Sequence, residues 1–259
     1  MYNQAVNPFV SKGVFMSLTA SSLYRDTANF LRHQSKTIVL ISLVSAFVTV
    51  ILGTVFAPGP DELSALTQNS DSTGSLISLL QGMSPEQQKI LLHSSAVSTL
   101  AALIGNTLLL GGMLILLPAV SAGKPLSALA AIGGSLGFLP ALLIQTFLVT
   151  LIVQIGFMVL LVPGIILTIL FAFSPVLLSQ KQAGLIGSMK QSVPLAWKNF
   201  KVLAPAVICW LLAKVILIIL FSSMTSLPVA FSSLIVTTLG NLLSAALVIY
   251  LYRAYMLLR

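Results

Sequence analysis

Residues 137–178 read GFLPALLIQTFLVTLIVQIGFMVLLVPGIILTILFAFSPVLL and contain no charged side chain. Crossing the roughly 30 Å hydrocarbon core of a bilayer takes about 20 helical residues. Because this stretch is about twice that length, it must reverse its direction once. Proline ends a helix, and glycine accepts a positive φ. Val162-Pro163-Gly164 is therefore the predicted turn, between helices over 138–161 and 165–178.

The composition of the whole chain places this stretch in a membrane protein. Of 259 residues, 57% are apolar and 7% are charged, and the mean hydropathy is +1.05. Soluble domains contain roughly 45–50% apolar and about 25% charged residues. The 13 basic and 5 acidic residues do not cover the surface of a soluble fold of this size. A soluble enzyme, a coiled coil, a disordered chain and a disulfide scaffold are therefore excluded.

Four further stretches are long enough to cross a bilayer, and they contain a single charge, that of Lys214. Lipid cannot pair backbone groups, so a polypeptide crosses it as a helix with all its backbone bonds made internally. The sequence thus predicts an all-α, polytopic membrane protein with six transmembrane helices in three hairpins, forming one domain over 16–259. The predicted spans are 37–56, 97–120, 138–161, 165–178, 202–221 and 232–252.

The basic residues predict the orientation of these helices. With the N-terminus in the cytoplasm, eleven of the 13 basic side chains lie on the cytoplasmic side, and the other side receives Lys89 with four acids. Because cytoplasmic loops carry an excess of Lys and Arg, both termini are predicted to be cytoplasmic. The loop over 57–96 is then on the outer side, where Ser84 and Pro85 predict the start of a capped helix that runs into the second span.

Three cytoplasmic segments, 18–32, 125–132 and 183–200, mix apolar and basic residues before a span. Such a pattern is typical of amphipathic helices that lie in the membrane interface with basic groups toward anionic headgroups. Membrane phospholipids are therefore the predicted partners. In a soluble protein the same charge would suggest nucleic acid, but here it is explained by orientation. Three tyrosines and a tryptophan predict an inner aromatic belt: Tyr250, Tyr252, Tyr255 and Trp197.

Five stretches of the chain form long motifs: MSLTASSLYRDTANFLRHQ at 16–34, SPEQQKILL at 84–92, LVPGIILTILFAFSPVLL at 161–178, QAGLIGSMKQSVPLAWKNFKVLAPAVICWLLAK at 182–214 and IYLYRAYMLLR at 249–259. With these motifs the chain resembles the YciC family of bacterial inner-membrane proteins. The resemblance implies a multi-pass protein in the inner membrane of Gram-negative bacteria, and it implies no activity, cofactor or catalytic residue. Residues 1–15 fall outside it, so they are predicted to be an N-terminal extension, with Met16 as an alternative start.

No pattern in the chain predicts an enzyme. A metal site needs clustered His, Cys, Asp or Glu, but His33 and His93 are predicted on opposite sides of the membrane, and Cys209 is alone. A serine hydrolase needs an acid within hydrogen-bonding reach of a histidine. His33 lies seven residues after Asp26, which is about 10 Å along a helix. The prediction is no catalytic residue, no metal and no cofactor.

Lys214 is the most informative residue within a predicted span. A lysine near a helix centre costs roughly 2.5–3.5 kcal/mol to insert. Two interpretations stay open: the ammonium faces the bundle interior and binds a lipid phosphate or another anion, or it snorkels to the outer headgroups. Amides in spans commonly make hydrogen bonds between helices. The candidate functional residues within the membrane are Lys214, Gln154, Gln145, Asn106 and Asn241.

Three functional hypotheses follow, and the leading one is a non-enzymatic membrane protein associated with lipids or the cell envelope. The second is a small channel or uncoupled transporter lined by Gln145, Gln154, Asn241 and Lys214. The absence of Asp and Glu from all six predicted spans argues against a coupled transporter. The third is an assembly factor for a larger membrane complex.

Overall fold

The computed structural model describes residues 20–59, 62, 82–181, 183–222 and 228–258. The regular structure in these residues is entirely α-helical. The predictions for 1–15, and those for Lys12, Asp61, Asp71 and Arg259, lie outside the described residues. In chain order the helices are α1 Ala20–His33, α2 Ser35–Val55, α3 Pro85–Ser121, α4 Ala128–Ser135, α5 Leu139–Val159, α6 Leu161–Leu170, α7 Ser174–Ser179, α8 Leu185–Lys198, α9 Phe200–Ser222 and α10 Val229–Leu258.

Six helical segments are long and apolar enough to cross a membrane. They are α2, α3, α5, the consecutive pair α6 and α7, α9 and α10, and each overlaps one predicted span. The pair forms a single segment over Leu161–Ser179. The sequence-based prediction of an all-helical protein with six spanning segments is confirmed.

The start of α3 is fixed by a capping box. The hydroxyl of Ser84 accepts a hydrogen bond from the backbone N–H of Gln87 at 3.3 Å, and the backbone N–H of Ser84 donates to Gln87 Oε1 at 3.0 Å. Pro85 takes the first helical position, where its missing N–H is not needed. The 37 residues of α3 measure about 56 Å, which exceeds the roughly 30 Å hydrocarbon core. The predicted capped helix that runs into the second span is confirmed.

The predicted turn at Val162-Pro163-Gly164 is wrong. The backbone breaks at Leu160, which is extended with φ −162° and ψ 158°, while Pro163 and Gly164 lie within α6. A proline in the first helical turn disrupts nothing, because the N–H groups there have no partner inside the helix. Gly164 instead permits a close approach: a Cβ added at Gly156 of α5 would lie 3.1 Å from the Cα of Gly164.

The spanning helices contact one another in a closed sequence. Each packs against the next in the order α2, α3, α5, α6, α9 and α10, and α10 packs against α2 to complete the ring. The contact between α2 and α10 is the most extensive in the described structure. Ser42 and Ala46, one turn apart on α2, are fully buried there. Small side chains at this spacing let two helices approach closely.

At the end of the bundle away from Ser84, α1 and the C-terminal part of α10 bury side chains. Helix α1 docks on α10 through one face, because Leu23, Thr27 and Phe30 follow a helical period and are all buried. Asp26 of α1 forms an ion pair with Arg253 of α10 at 3.3 Å. The predicted belt is wrong for its tyrosines, since Tyr250, Tyr252 and Tyr255 are at most 4% exposed, whereas Trp197 is exposed.

Candidate functional site

A cavity of about 570 Å³ lies among α2, α3, α5, α9 and α10. Its lining residues fall in those parts of the five helices that lie toward the start of α3, which we call the Ser84 end of the bundle. The pockets that bind small ligands in proteins commonly measure roughly 300–1,000 Å³. The lining consists of Thr49, Ser98, Thr99, Ala102, Leu103, Asn106, Thr150, Gln154, Trp210, Lys214, Leu217, Ile218, Val236, Thr237, Gly240 and Asn241.

Lys214 supplies the charge of this cavity and is the single charged side chain among its lining residues. Its Nζ atom lies 4.8 Å from the ring centroid of Trp210, which precedes it by one helical turn. This contact directs the ammonium away from the Ser84 end of the bundle. The end of α9 on that side lies about 12 Å from Lys214 along the helix axis. The orientation matches the interpretation in which Lys214 faces the bundle interior and not the one in which it snorkels.

Trp210 is itself held in place from both sides. Its indole Nε1 donates a hydrogen bond to the hydroxyl of Ser244 on α10 at 3.4 Å. The face of its ring contacts the ammonium of Lys214, an arrangement whose attraction is worth about 0.5–2 kcal/mol. The tryptophan therefore links α9 to α10 and positions the lysine within the cavity.

Three of the four predicted amide residues lie beside Lys214 in the cavity wall. Asn106 of α3 is half-buried, Gln154 of α5 is exposed, and Asn241 of α10 is buried. The Nδ2 atom of Asn241 donates to the carbonyl oxygen of Ser42 at 3.1 Å, which fixes the direction of this amide. The structure thus assembles four of the five candidate residues from four separate helices.

Gln145 is the exception, and its predicted place with the other candidates is wrong. It is fully buried and lies outside the cavity lining. Its Nε2 atom donates to the hydroxyl of Ser188 on α8 at 2.6 Å. Gln145 and Gln154 are nine residues apart, which corresponds to about 180° around a helix. Opposite faces of α5 therefore carry the two glutamines, and Gln145 serves the packing of α8.

Hydroxyl groups also line the wall, and they were not among the residues predicted from the sequence. Thr49, Thr150 and Thr237 bring one hydroxyl each from α2, α5 and α10. Threonines are common within apolar helices because the hydroxyl can bond to a carbonyl of the preceding turn, as Thr49 does to Ser45 at 2.9 Å. A threonine in a span therefore carries little signal by itself. Spacing was the available clue, since Thr150 and Thr237 each precede a cavity amide by four residues.

Comparisons with known proteins identify the family. The profile of an uncharacterised protein family, UPF0259, matches residues 16–257. The chain belongs to the UPF0259 family. UPF0259 membrane proteins of Yersinia pestis (strain Pestoides F) and Yersinia pseudotuberculosis (serotype O:3, strain YPIII) are each 43% identical to it over 249 residues. Each alignment covers 94% of this chain and 97% of the relative. No solved structure matches the chain.

The UPF0259 assignment makes the chain an integral membrane protein and confirms the family resemblance seen in its motifs. The described residues contain no group of three or more His, Cys, Asp or Glu side chains that could hold a metal ion. The part of the cavity lining that the structure describes offers one ammonium, three amides and several hydroxyls, without a carboxylate. Such a set can bind an anion and donate or accept hydrogen bonds around it.

Proposed function

We propose that this UPF0259 protein is a non-enzymatic lipid-binding protein of the bacterial inner membrane. The cavity binds the headgroup of an anionic phospholipid, with the phosphate at Lys214. The observation that carries the proposal is the position of Lys214 in a cavity whose described lining residues include amides and hydroxyls but no acidic side chain.

The charge balance favours an anionic ligand. A lysine at this depth costs roughly 2.5–3.5 kcal/mol to insert, and such residues in membranes are commonly paired or functional. The described residues of the lining include no carboxylate that could neutralise Lys214, and its contact with Trp210 is a weak substitute for a counter-charge. A phosphate would supply the missing negative charge, and charged hydrogen bonds of this kind contribute about 1.5–3 kcal/mol.

The arrangement of the polar groups favours a headgroup that enters from the Ser84 end. On α3, Ser98 and Asn106 lie two turns apart on one face of the helix, and both line the cavity. Ser98 is exposed and Asn106 is half-buried, so polar groups continue from the outside of the bundle toward Lys214. The volume of about 570 Å³ accommodates a glycerophosphate headgroup and excludes a whole lipid with both acyl chains.

The distribution of charge supports the orientation and the three-hairpin arrangement that belong to this proposal. Helices α1, α4 and α8 each precede a spanning helix, and we place them in the cytoplasmic interface. Basic side chains on α1 and α8, such as Arg25 and Lys190, would then face anionic headgroups. Both termini would be cytoplasmic, and the cavity would open toward the outer leaflet. A reporter fused after Arg259 should be active in the cytoplasm, and activity confined to the periplasm would contradict this orientation.

The two alternative functions have less support. A channel needs a continuous polar path, yet Gln145 lies outside the cavity and large apolar side chains such as Leu109, Leu116 and Phe173 are fully buried toward the other end. An assembly factor needs a protein-binding surface, and the polar cavity does not provide one. Flux of small anions through reconstituted liposomes would favour the channel, and recovery of a stable protein partner would favour the assembly factor.

Native mass spectrometry of the full chain in detergent tests the lipid proposal directly. The probes are phosphatidylglycerol, which has one negative charge, and phosphatidylethanolamine, which adds an ammonium that meets no acid among the described residues of the lining. We expect one retained phosphatidylglycerol and weaker retention of phosphatidylethanolamine. Lys214→Leu should weaken phosphatidylglycerol binding by about 10-fold or more, which corresponds to the loss of one charged hydrogen bond.

Two variants control for effects that are not specific to the cavity. Lys214→Arg keeps the charge and should keep most of the binding. Lys201→Leu makes the same substitution at an exposed position of the same helix, far from the cavity, and should change nothing. Equal losses in Lys214→Leu and Lys201→Leu, or no retention of phosphatidylglycerol by the wild type, would overturn the proposal.

A further inference from the structure

The rim of the cavity at the Ser84 end is polar on one side and apolar on the other. On α3, Ser98 and Thr99 line the cavity and are both exposed. On α9, which lies opposite α3 in the ring of helices, Leu217 and Ile218 continue the lining beyond Lys214, and Ile218 is 60% exposed. A dissolved anion gains nothing from an apolar rim. This asymmetry instead suits a ligand that has a polar and an apolar part.

The hairpin between α5 and α6 extends the apolar side of the rim. Residues 155–167 read IGFMVLLVPGIIL and contain no polar side chain. We call residues 157–162 the α5–α6 tip; they closely follow Gln154 of the cavity wall, and all six are exposed, Met158 at 87%. The backbone is broken at Leu160, so it needs hydrogen-bond partners that hydrocarbon does not supply. We therefore place the tip at the boundary of the hydrocarbon core, with its apolar side chains in contact with lipid.

The wall of the bundle is open between α5 and α9. Both helices line the cavity, but within the described residues they make no extensive contact with each other. Helix α6, which stands between them in the ring, contributes no residue to the described lining. No described residue of α9 from 208 to 221 is buried. The buried residues of this helix all lie near its other end, at Leu203, Ala204, Ala206 and Val207.

The half of α9 toward the Ser84 end is therefore loosely packed, and we call the gap beside α5 the lateral opening. We infer that the phospholipid at Lys214 stays anchored in the bilayer: its headgroup enters the cavity at the lateral opening, and both acyl chains remain in the leaflet at the Ser84 end. This inference rests on the proposed function and narrows its ligand to an amphiphile held in the membrane.

The size of the cavity and the chemistry of its rim carry this inference together. A volume of about 570 Å³ has room for the headgroup and not for the chains, so the chains must leave the cavity. The lateral opening leads them into hydrocarbon, past Ile218 of α9 and the α5–α6 tip. The opposite side leads past the hydroxyls of Ser98 and Thr99, which suit the polar end of the lipid.

The headgroup would then decide the affinity, and the length of the chains would not. Hydrocarbon surrounds the chains before and after binding, so their free energy changes little. Phosphatidylglycerols with shorter and longer chains should bind within about 3-fold of each other. Glycerophosphoglycerol is the same headgroup without chains, and it lacks the anchoring that concentrates a lipid beside the opening. Its binding should be about 100-fold weaker or more.

A removable block at the lateral opening tests the path of the lipid. In a Cys209→Ala background, which lies outside the cavity lining, Ile218→Cys supplies a single thiol at the opening. A bulky apolar thiosulfonate reagent attaches to this thiol through a disulfide after the full-length protein has folded in phosphatidylcholine nanodiscs. Phosphatidylglycerol is then supplied from vesicles, and its retention is measured by native mass spectrometry. The adduct should lower retention about 10-fold, and dithiothreitol, which removes the adduct, should restore it.

Ile216→Cys in the same background is the matched control. Ile216 is 55% exposed, does not line the cavity and lies about 200° around the helix from Ile218. The same adduct at this position points into bulk lipid and should leave retention unchanged. Equal losses with the two adducts, or no loss with the adduct at position 218, would overturn the inference.

Photo-crosslinking locates the chains themselves. Phosphatidylglycerol with a diazirine in the middle of one chain should label Ile218 and the α5–α6 tip more strongly than outward positions such as Ile216, and this excess should be lost in Lys214→Leu. Labelling of Trp210 or Asn241 would place the chain inside the cavity and contradict the inference. So would labelling that is spread evenly over the outward faces of the helices.

The source of the bound phosphate separates this inference from the proposed function. If glycerophosphoglycerol displaces phosphatidylglycerol at equal concentration, the ligand is a soluble phosphate compound and the inference fails. If Lys214→Leu lowers retention of phosphatidylglycerol, but neither the adduct nor the labelling behaves as expected, the lateral path fails and the proposed function stands. If Lys214→Leu leaves retention unchanged, both fail.

Discussion

Replacing Gln145 with methionine should stabilise the protein, although it removes a hydrogen bond between two helices. Gln145 is fully buried, and its Nε2 atom donates to Ser188 Oγ at 2.6 Å. Its Oε1 atom is also buried and has no hydrogen-bond partner among the described residues. Methionine has a similar length and flexibility, so it fills the same space without either polar atom.

The size of the effect follows from the two opposing contributions. A hydrogen bond between membrane helices stabilises by about 0.6 kcal/mol on average, and that amount is lost. An unpaired buried acceptor costs about 1–3 kcal/mol, and that cost is removed. Ser188 is not left unpaired, because its hydroxyl still donates to the carbonyl of Leu185 at 2.7 Å. The free energy of unfolding should therefore rise by about 0.5–2 kcal/mol.

Reversible unfolding in mixed micelles with increasing dodecyl sulfate measures this change, with tryptophan fluorescence as the signal. Gln154→Met is the control, because Gln154 lies on the same helix but is exposed, and its substitution should change stability by less than about 0.5 kcal/mol. A loss of 1 kcal/mol or more in Gln145→Met relative to this control would refute the reasoning. Retention of phosphatidylglycerol should be unchanged, since Gln145 lies outside the cavity.

Three further substitutions test particular contacts. Gly156→Ala should destabilise the protein by about 1–3 kcal/mol relative to the control Gly133→Ala, and thermal unfolding in detergent measures the difference. The reason is that a Cβ at Gly156 would lie 3.1 Å from the backbone of α6, whereas a Cβ at Gly133 would meet nothing within 4 Å. Ser84→Ala removes the α3 cap, and amide hydrogen exchange in the first turn of α3 should become about 5-fold faster, corresponding to roughly 1 kcal/mol. Asp26→Asn breaks the ion pair with Arg253. Because the Asp26 side chain is 50% exposed and that of Arg253 is 27% exposed, the free energy of unfolding should fall by less than about 1 kcal/mol. Limited proteolysis with trypsin should show only a slight increase in the cleavage of α1.

The positions of the spanning helices could be predicted because lipid imposes one strong constraint. A charge-free apolar run of sufficient length has no alternative to a helix in a bilayer. The first span is Ser35–Val55, against a prediction of 37–56, and the fifth is Phe200–Ser222, against 202–221. The capping box at Ser84 was equally readable, since its polar groups are neighbours in sequence.

The turn between α5 and α6 could not be placed from residue types alone. Proline and glycine suit a turn, but proline also suits the first turn of a helix, and the sequence does not distinguish these positions. The choice depends on the close approach of Gly156 to Gly164, which is a tertiary contact. The break therefore fell at Leu160, a residue with no local preference for it.

Residue types alone also do not show which helix faces meet at the candidate site. Residue chemistry marked Lys214 as a group that needs a polar environment, but it could not decide which amides share its cavity. Helical periodicity alone separates Gln145 from Gln154, whereas the meeting of Asn106 with Asn241 depends on how α3 and α10 pack. The tyrosines of α10 were misassigned for a related reason: their burial depends on tertiary contacts, such as that of the Tyr250 ring with the Tyr24 ring of α1 at 5.1 Å.

The pairing of the first spanning helix with the last has a consequence for biosynthesis. About 170 residues separate the end of α2 from the start of α10, and a ribosome needs roughly 10–35 s to add that many. During this interval the newly inserted α2 has no partner for the surface that carries Ser42 and Ala46. A chain that stops before α10 leaves this surface open to lipid and leaves the carbonyl oxygen of Ser42 without the hydrogen bond from Asn241. Closure of the bundle is therefore a late, post-insertional step, and truncation at the C-terminus should shorten the lifetime of the whole polypeptide.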